Sequence, residues 1–268
     1  MHPNLTAYED FEIFSPESKD EISRYRESKI EGVQKNISFI KEHFDGKINV
    51  LEIGSGNSKF LYALEQNNLL EEGYGIDVSK SRVEFANYWK EDLKIKNVFN
   101  INKDVLKLDF EIFPQFDLIY CVDLAFQFLS PVEENSDTIL LNKCLQKLKE
   151  NGKIILELDD HSSIIRKMDN NQIKVWQEFE EPDPWEYLLW NCLYNEEEKF
   201  LNIEKTFIKR DLTEVSKNKV SLKIYSKHDI VKLLKERNFY NIKIFDHWEK
   251  SGDTDLDEFI VMGEKYDK

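Results

Sequence analysis

Three carboxylates are spaced along the first half of this 268-residue chain as a nucleotide site would need them. Glu52 sits in the apolar run Val50-Leu51-Glu52-Ile53, directly before the turn Gly54-Ser55-Gly56. Asp77 ends the run Tyr74-Gly75-Ile76, 21 residues beyond Gly56, and Asp104 follows Val98-Phe99-Asn100-Ile101. An ionised carboxylate accepts two strong hydrogen bonds, which suits the cis-diol of a ribose. Nucleotide-binding α/β units place such an acid about 20 residues past their glycines. Asp104 could accept from an adenine amino group, with Val105 giving an apolar backbone contact. The glycines let the backbone turn tightly and a ligand approach closer than a Cβ would permit. Any one Asp is also an ordinary helix cap or loop residue. Three in order around a glycine turn point to an adenosine-containing ligand.

The elements that must position these groups follow from periodicity. A helical pattern runs from about Ser18 to Phe44 and stops at Asp45-Gly46. Ile48–Ile53 reads as a strand, and a helix then runs through Leu70 to a loop at Glu71-Glu72-Gly73. Tyr74–Val78 is a second strand, and Ser79 can cap a helix over Lys80–Leu93. Val98–Ile101 and Phe116–Val122 are further strands; a helix over Asn135–Leu148 ends at Asn151-Gly152, and Lys153–Leu158 is the fifth strand. Strands alternating with helices argue for a parallel sheet covered on both sides. Near Met168 the alternation breaks. Residues 172–226 read as antiparallel strands, with polar turns at Asn195–Glu198 and Ser216–Lys219. Ser226 then caps a helix over Lys227–Arg237, and Ile242–Phe245 and Phe259–Met262 form an antiparallel pair at the sheet edge. The expected fold class is α/β: a Rossmann-like, seven-stranded, mostly parallel sheet with helices on both faces. An antiparallel β insertion separates strand five from the last helix.

The choice of ligand turns on position 59. A dinucleotide site needs G-x-G-x-x-G, whose third glycine permits close helix packing, and here that position is Lys59. No G-x-x-x-x-G-K-[ST] phosphate loop occurs. The acid-x-Gly-x-Gly arrangement Glu52-Ile53-Gly54-Ser55-Gly56 resembles motif I of the class I S-adenosylmethionine-dependent methyltransferases. Gly75-Ile76-Asp77-Val78-Ser79 resembles their motif II, and Asn102-Lys103-Asp104-Val105 their adenine-contacting segment. Phe116–Cys121 is similar to their fourth-strand motif and Leu145–Lys153 to the segment before strand five. Ser58 and Asn151 depart from glycines common in that pattern.

The resemblance implies S-adenosyl-L-methionine as cofactor, held by Glu52, Gly54, Ser55, Gly56, Asp77, Val78, Asp104, Val105 and Cys121. It implies that an N-terminal segment, residues 1–45, folds over the cofactor and contributes Tyr8 and Tyr25, either of which could equally be a core tyrosine. Residues 46–167 and 226–268 would form the methyltransferase core. The insertion, 168–225, would wall a substrate pocket or pair subunits in a homodimer, as in small-molecule enzymes such as sugar N-methyltransferases. Its aromatics Trp176, Trp185, Tyr187 and Trp190 could line that pocket or simply pack. Asp159, Asp160 and His161, just past strand five, are the candidate base for a hydroxyl acceptor, although His161 could merely cap the next segment. The expected acceptor is an N or O atom of a small polar metabolite, for instance a nucleotide-linked sugar. A protein side chain, or an inactive binding subunit, are the alternative readings.

Composition narrows the partners. With 37 Lys and Arg against 52 Asp and Glu the net charge is −15, which repels a phosphate backbone and argues against nucleic acid. Cys121, Cys144 and Cys192 form no C-x-x-C pair, so neither a disulfide framework nor a metal site is expected. Residues 1–10 lack the pattern of a signal peptide, and no apolar run reaches the roughly 18 residues that span a bilayer. A cytoplasmic location is the expectation.

Overall fold

A computed structural model of the protein describes residues 2–6, 19–180, 185–212, 215–246, 248 and 257–266. Helices α1 (Lys19–Gly32) and α2 (Gln34–His43) lead into β1 (Ile48–Ile53), and α3 (Lys59–Gln66), β2 (Leu70–Asp77), α4 (Lys80–Leu93) and β3 (Val98–Asn102) follow. The chain continues through β4 (Phe116–Cys121), α5 (Ala125–Leu129), α6 (Ser136–Lys147), β5 (Leu148–Asp159) and α7 (Ser162–Ile165). Four strands, β6 (Gln172–Glu178), β7 (Trp185–Asn195), β8 (Phe200–Lys209) and β9 (Val215–Lys223), precede α8 (Lys227–Glu236), β10 (Phe239–Phe245) and β11 (Glu258–Lys265).

Seven strands form one sheet in the order β10-β11-β5-β4-β1-β2-β3. The five from β5 to β3 are mutually parallel, and β11 runs antiparallel to both β5 and β10. The central strands β1 and β4 are buried on both faces, and alternate residues feed two cores. Leu51 and Ile53 belong to the core shared with Leu140 and Leu234; Val50, Leu118 and Tyr120 belong to the core shared with Ile37 and Leu61. Strand order reverses between β1 and β4, which opens a crevice at their carboxyl ends.

The insertion is a separate antiparallel sheet, β6-β7-β8-β9. Its inner face buries Cys192, Leu201, Ile203, Val220 and Leu222, and Leu124 and Phe128 pack against that cluster. Asp137 on α6 ties it to the core by accepting from Lys223 Nζ (2.9 Å) and from the Tyr225 hydroxyl (2.8 Å).

Several element boundaries depart from expectation for physical reasons. The expected single N-terminal helix is two, divided at Val33 (φ −106°, ψ 9°) just after Gly32. Glu71-Glu72-Gly73 lies within β2: its acids occupy the strand's more accessible start, while a Cβ at Gly73 would meet the Leu70 and Leu61 side chains at 3.0 and 3.1 Å. Pairing of β5 begins at Leu148 and bulges around Asn151 (φ 58°), because Phe116 faces Leu148 but Leu118 faces Lys153. Ser216–Lys219 is strand, not turn. As an edge, β9 needs no apolar alternation, and Ser, Lys and Asn on an edge discourage further pairing.

Burial raises the Asp137 pKa, but its bonds to Lys223 and Tyr225 outweigh this and leave it below the ordinary value. A depressed folded pKa means stability present above the unfolded pKa and lost as the pH falls toward the folded one. Asp137→Ala is expected to lower stability by roughly 1–3 kcal/mol at neutral pH. In denaturant melts that difference should fade below about pH 4; a pH-independent loss would refute the ionised role.

Candidate active site

The cleft at the carboxyl ends of β1, β2 and β4 has a volume of about 360 Å³. Its floor is the glycine turn. Gly54 and Ser55 both donate to the Ile76 carbonyl, at 2.9 and 3.1 Å, which stitches the turn to β2. Gly54 (φ +75°) has no room for a side chain: a Cβ would lie 2.6 Å from that of Ala125 on α5. Gly56 (φ +52°) also requires a left-handed backbone. Ser58 takes this conformation too (φ 60°), and its hydroxyl donates to Asn100 Oδ1 at 2.8 Å.

Asp77 joins this turn to the next one. Its Oδ2 accepts from the Gly56 N–H (2.8 Å) and its Oδ1 from the Ser79 N–H (2.7 Å). Burial raises its pKa, against the pull of the Ser79 N–H, the Arg82 charge and the Gly56 N–H. Each carboxylate oxygen keeps a further acceptor site for a ligand. Asp104 also lines the cleft; its Oδ1 accepts from the Leu106 N–H (3.0 Å) and its Oδ2 lies 3.2 Å from Lys107 Nζ. Val78, Val105, Ser55 and Gly54 complete the part of the lining expected from sequence.

Glu52 is placed differently. It is fully buried beneath the turn, does not line the cleft, and neither carboxylate oxygen has a hydrogen-bond partner among the described residues. Burial pushes its pKa well up; Lys59 opposes this, while Asp123, Asp77 and Glu157 add to it. A buried acid without a partner is costly unless a cation approaches or it stays protonated. Ser55 Oγ is likewise buried without a partner.

Other expected site residues lie away from the cleft. Cys121 is fully buried in the core; the chain reaches the cleft only at the next residues, Val122 and Asp123, and burial pushes the thiol pKa well up. Tyr25 stands behind Asn57, with its hydroxyl 3.5 Å from the Asn57 amide and its ring edge-on to Phe85. Tyr8 lies outside the described residues. Asp159, Asp160 and His161 do not line the cleft; they build the turn that leaves β5. Asp159 Oδ1 accepts from the His161 N–H (2.6 Å) and Asp160 Oδ1 from the Ser162 N–H (2.9 Å). Trp176, Trp185, Tyr187 and Trp190 are also absent from the lining, and Trp176 is largely exposed.

The sequence left other lining residues unflagged. Asn4, in a short 3-10 helix (Pro3–Leu5), donates to the carbonyls of Phe128 and Ser221 (2.6 Å each) and accepts from the Ser221 N–H (2.8 Å). This pins Leu5 over the cleft. Lys29, Arg82 and Asp123 also contribute. Lys59, which replaces the third glycine of a dinucleotide site, pairs with Asp123 at 3.2 Å. That pair separates the cleft from a second cavity of about 380 Å³, lined also by Asn36, Glu157 and Trp248.

A methyltransferase-domain family model matches residues 44–199, from the end of α2 to the β7–β8 turn. The chain belongs to this family. No curated protein matches its sequence. Among solved structures, an S-adenosylmethionine-dependent methyltransferase from Clostridium acetobutylicum is similar with a TM-score of 0.71 and 16% identity, covering 92% of this chain and 99% of that one. The CcbJ methyltransferase from Streptomyces caelestis gives 0.75 and 11%, with 99% and 98% covered. CalS10, an amino pentose methyltransferase from Micromonospora echinaspora, gives 0.62 and 10%, with 94% and 99% covered. At these identities the likeness concerns the fold. S-adenosylmethionine, the cofactor of this methyltransferase, suits the cleft: a carboxylate stands where a ribose diol could bind, the turn leaves no Cβ in the way, and a buried acid awaits positive charge. Among the described residues, no helix is long and apolar enough to cross a membrane.

The crowding at Gly54 can be separated from backbone strain. Gly46 has a similar φ (+71°), and a Cβ added there would meet nothing within 4 Å. Gly46→Ala should cost about 1–2 kcal/mol through conformation alone. Gly54→Ala should cost more in the same denaturant melts, and equal losses would show that the Ala125 contact relaxes freely.

Proposed function

We propose that this methyltransferase moves a methyl group to an N or O atom of a small polar metabolite, such as a sugar, in the cytoplasm. The observation that supports this reading is the pair of cavities that meet at Lys59 and Asp123: a cofactor-sized cleft beside a second space of similar volume. Amino pentose and sugar N-methyltransferases are among the proteins of similar fold. A cavity of about 380 Å³ suits a small acceptor. The intact glycine turn and Asp77 argue against an inactive binding subunit. Three free, buried cysteines suit a reducing compartment.

When bound, the cofactor supplies an electrophilic methyl group on a sulfonium. The protein's share is alignment, because the departing thioether is neutral and displacement is in line. Asp77 would hold the ribose hydroxyls and Asp104 the adenine amino group, with Val78 and Val105 against the purine. Glu52, beneath the turn, would bias the site toward the ligand's positive charge without touching it.

Calorimetry of the purified protein should show micromolar binding of S-adenosylhomocysteine and none of NAD. Asp77→Ala should weaken the first by more than about tenfold, since hydrogen bonds to a charged acceptor are worth about 1.5–3 kcal/mol. The variant should still melt cooperatively. Undiminished binding in the variant would remove Asp77 from the site.

A further inference from the structure

The second cavity has a chemistry of its own. It lies against the N-terminal helices and the start of β11, and no described residue of the insertion lines it. Among its described lining residues there are three carboxylates, Asp123, Glu157 and Glu258, against one cation, Lys59, which is engaged with Asp123. Glu157 is held as an acceptor by three donors: the Tyr120 hydroxyl (2.8 Å), the Asp123 N–H (2.9 Å) and the Trp248 indole N–H (2.9 Å). Two of these bonds fill Oε2, and Oε1 keeps one further acceptor site. Trp248, fixed edge-on against Phe39 and Tyr120, adds an aromatic wall of the kind that attracts cations. From below, the fully buried Glu52, whose oxygens have no hydrogen-bond partner among the described residues, acts electrostatically on the same Asp123–Glu157 group. Among the described lining residues there is no histidine, so a neutral hydroxyl would find no base matched to neutral pH.

We propose that this cavity is the acceptor chamber and that Glu157 and Glu258 select an amine-bearing metabolite, bound as its ammonium, over the corresponding alcohol. The inference rests on the methyl-transfer reading above. The ammonium gives a proton to the Asp123 carboxylate, whose side chain is 67% exposed and can pass it to water. The freed amine lone pair bonds to the methyl carbon as the carbon–sulfur bond breaks, its electron pair remaining on sulfur. The product leaves as a methylated ammonium.

The test uses the full-length protein saturated with S-adenosylhomocysteine, titrated with an aminohexose and with the hexose bearing a hydroxyl in its place. The aminohexose should bind more than about tenfold tighter, the effect expected of one charge-assisted hydrogen bond. Glu157→Gln/Glu258→Gln should abolish that preference while leaving S-adenosylhomocysteine affinity unchanged, because neither residue lines the cofactor cleft. Should the double variant not fold, Glu258→Gln alone, at the exposed start of β11, should still reduce the preference measurably. Equal binding of the two sugars, no binding of either, or a preference that survives in these variants would overturn the amine assignment alone. Failure of the wild type to bind S-adenosylhomocysteine would overturn the methyltransferase reading and this inference together.

Discussion

The site depends on one carboxylate bridging two turns. Asp77 is the last residue of β2, yet it accepts from Gly56 in the turn after β1 and from Ser79 in the turn after β2. Parallel neighbouring strands bring their carboxyl ends to the same edge, so the two turns are adjacent by construction. What the fold does not fix is their mutual orientation. The two hydrogen bonds to a single buried acid do, and they aim the remaining acceptor positions of Asp77 into the cleft. The glycines are a consequence: with Gly54 stitched to Ile76 and against Ala125, the turn has only one backbone path, and it passes through left-handed conformations.

The electrostatics around this bridge have an unusual sign for an interior. Glu52, Asp77, Asp123 and Glu157 act on one another, and Lys59 is the cation that opposes their mutual repulsion at Glu52. Concentrating acids in a poorly solvated region disfavours their charged forms. A cationic ligand relieves that repulsion. Lys59 at the third glycine position is consistent with this: it excludes the close helix packing of a dinucleotide site and places a positive charge where the acids need one.

Much of this was readable along the chain, because the relevant signals are local. The alternation of buried runs with helical patterns comes from strands covered on both faces, and the acid at each strand end comes from the sheet edge that holds the ligand. What could not be read depends on contacts between distant residues. Asn4 enters the lining only because its amide bonds β9, 217 residues away. Cys121 stands one residue from the cleft, and no spacing rule distinguishes it from Val122. His161 has the right intrinsic pKa for a base and its ring Nδ1 lies 2.7 Å from Asp159 Oδ1, but it is not among the residues that line the cleft. In β9, charged and polar residues read as a turn because edge strands obey solvation more than burial.

Asn4 also links the parts of the molecule that sequence treats as separate. Its side chain makes three bonds, to α5 and β9, while Gln127 on α5 bonds both the Asp159 backbone at the end of β5 and the Lys223 carbonyl at the end of β9. Helix α5 is only five residues long, too short to be stable by itself. It is held because it is the common partner of the N-terminal 3-10 helix, the insertion and β5, and because Ala125 on it closes on Gly54. Through α5 the four-stranded sheet is bonded to the wall of the cofactor cleft even though its own tryptophans stay outside the lining.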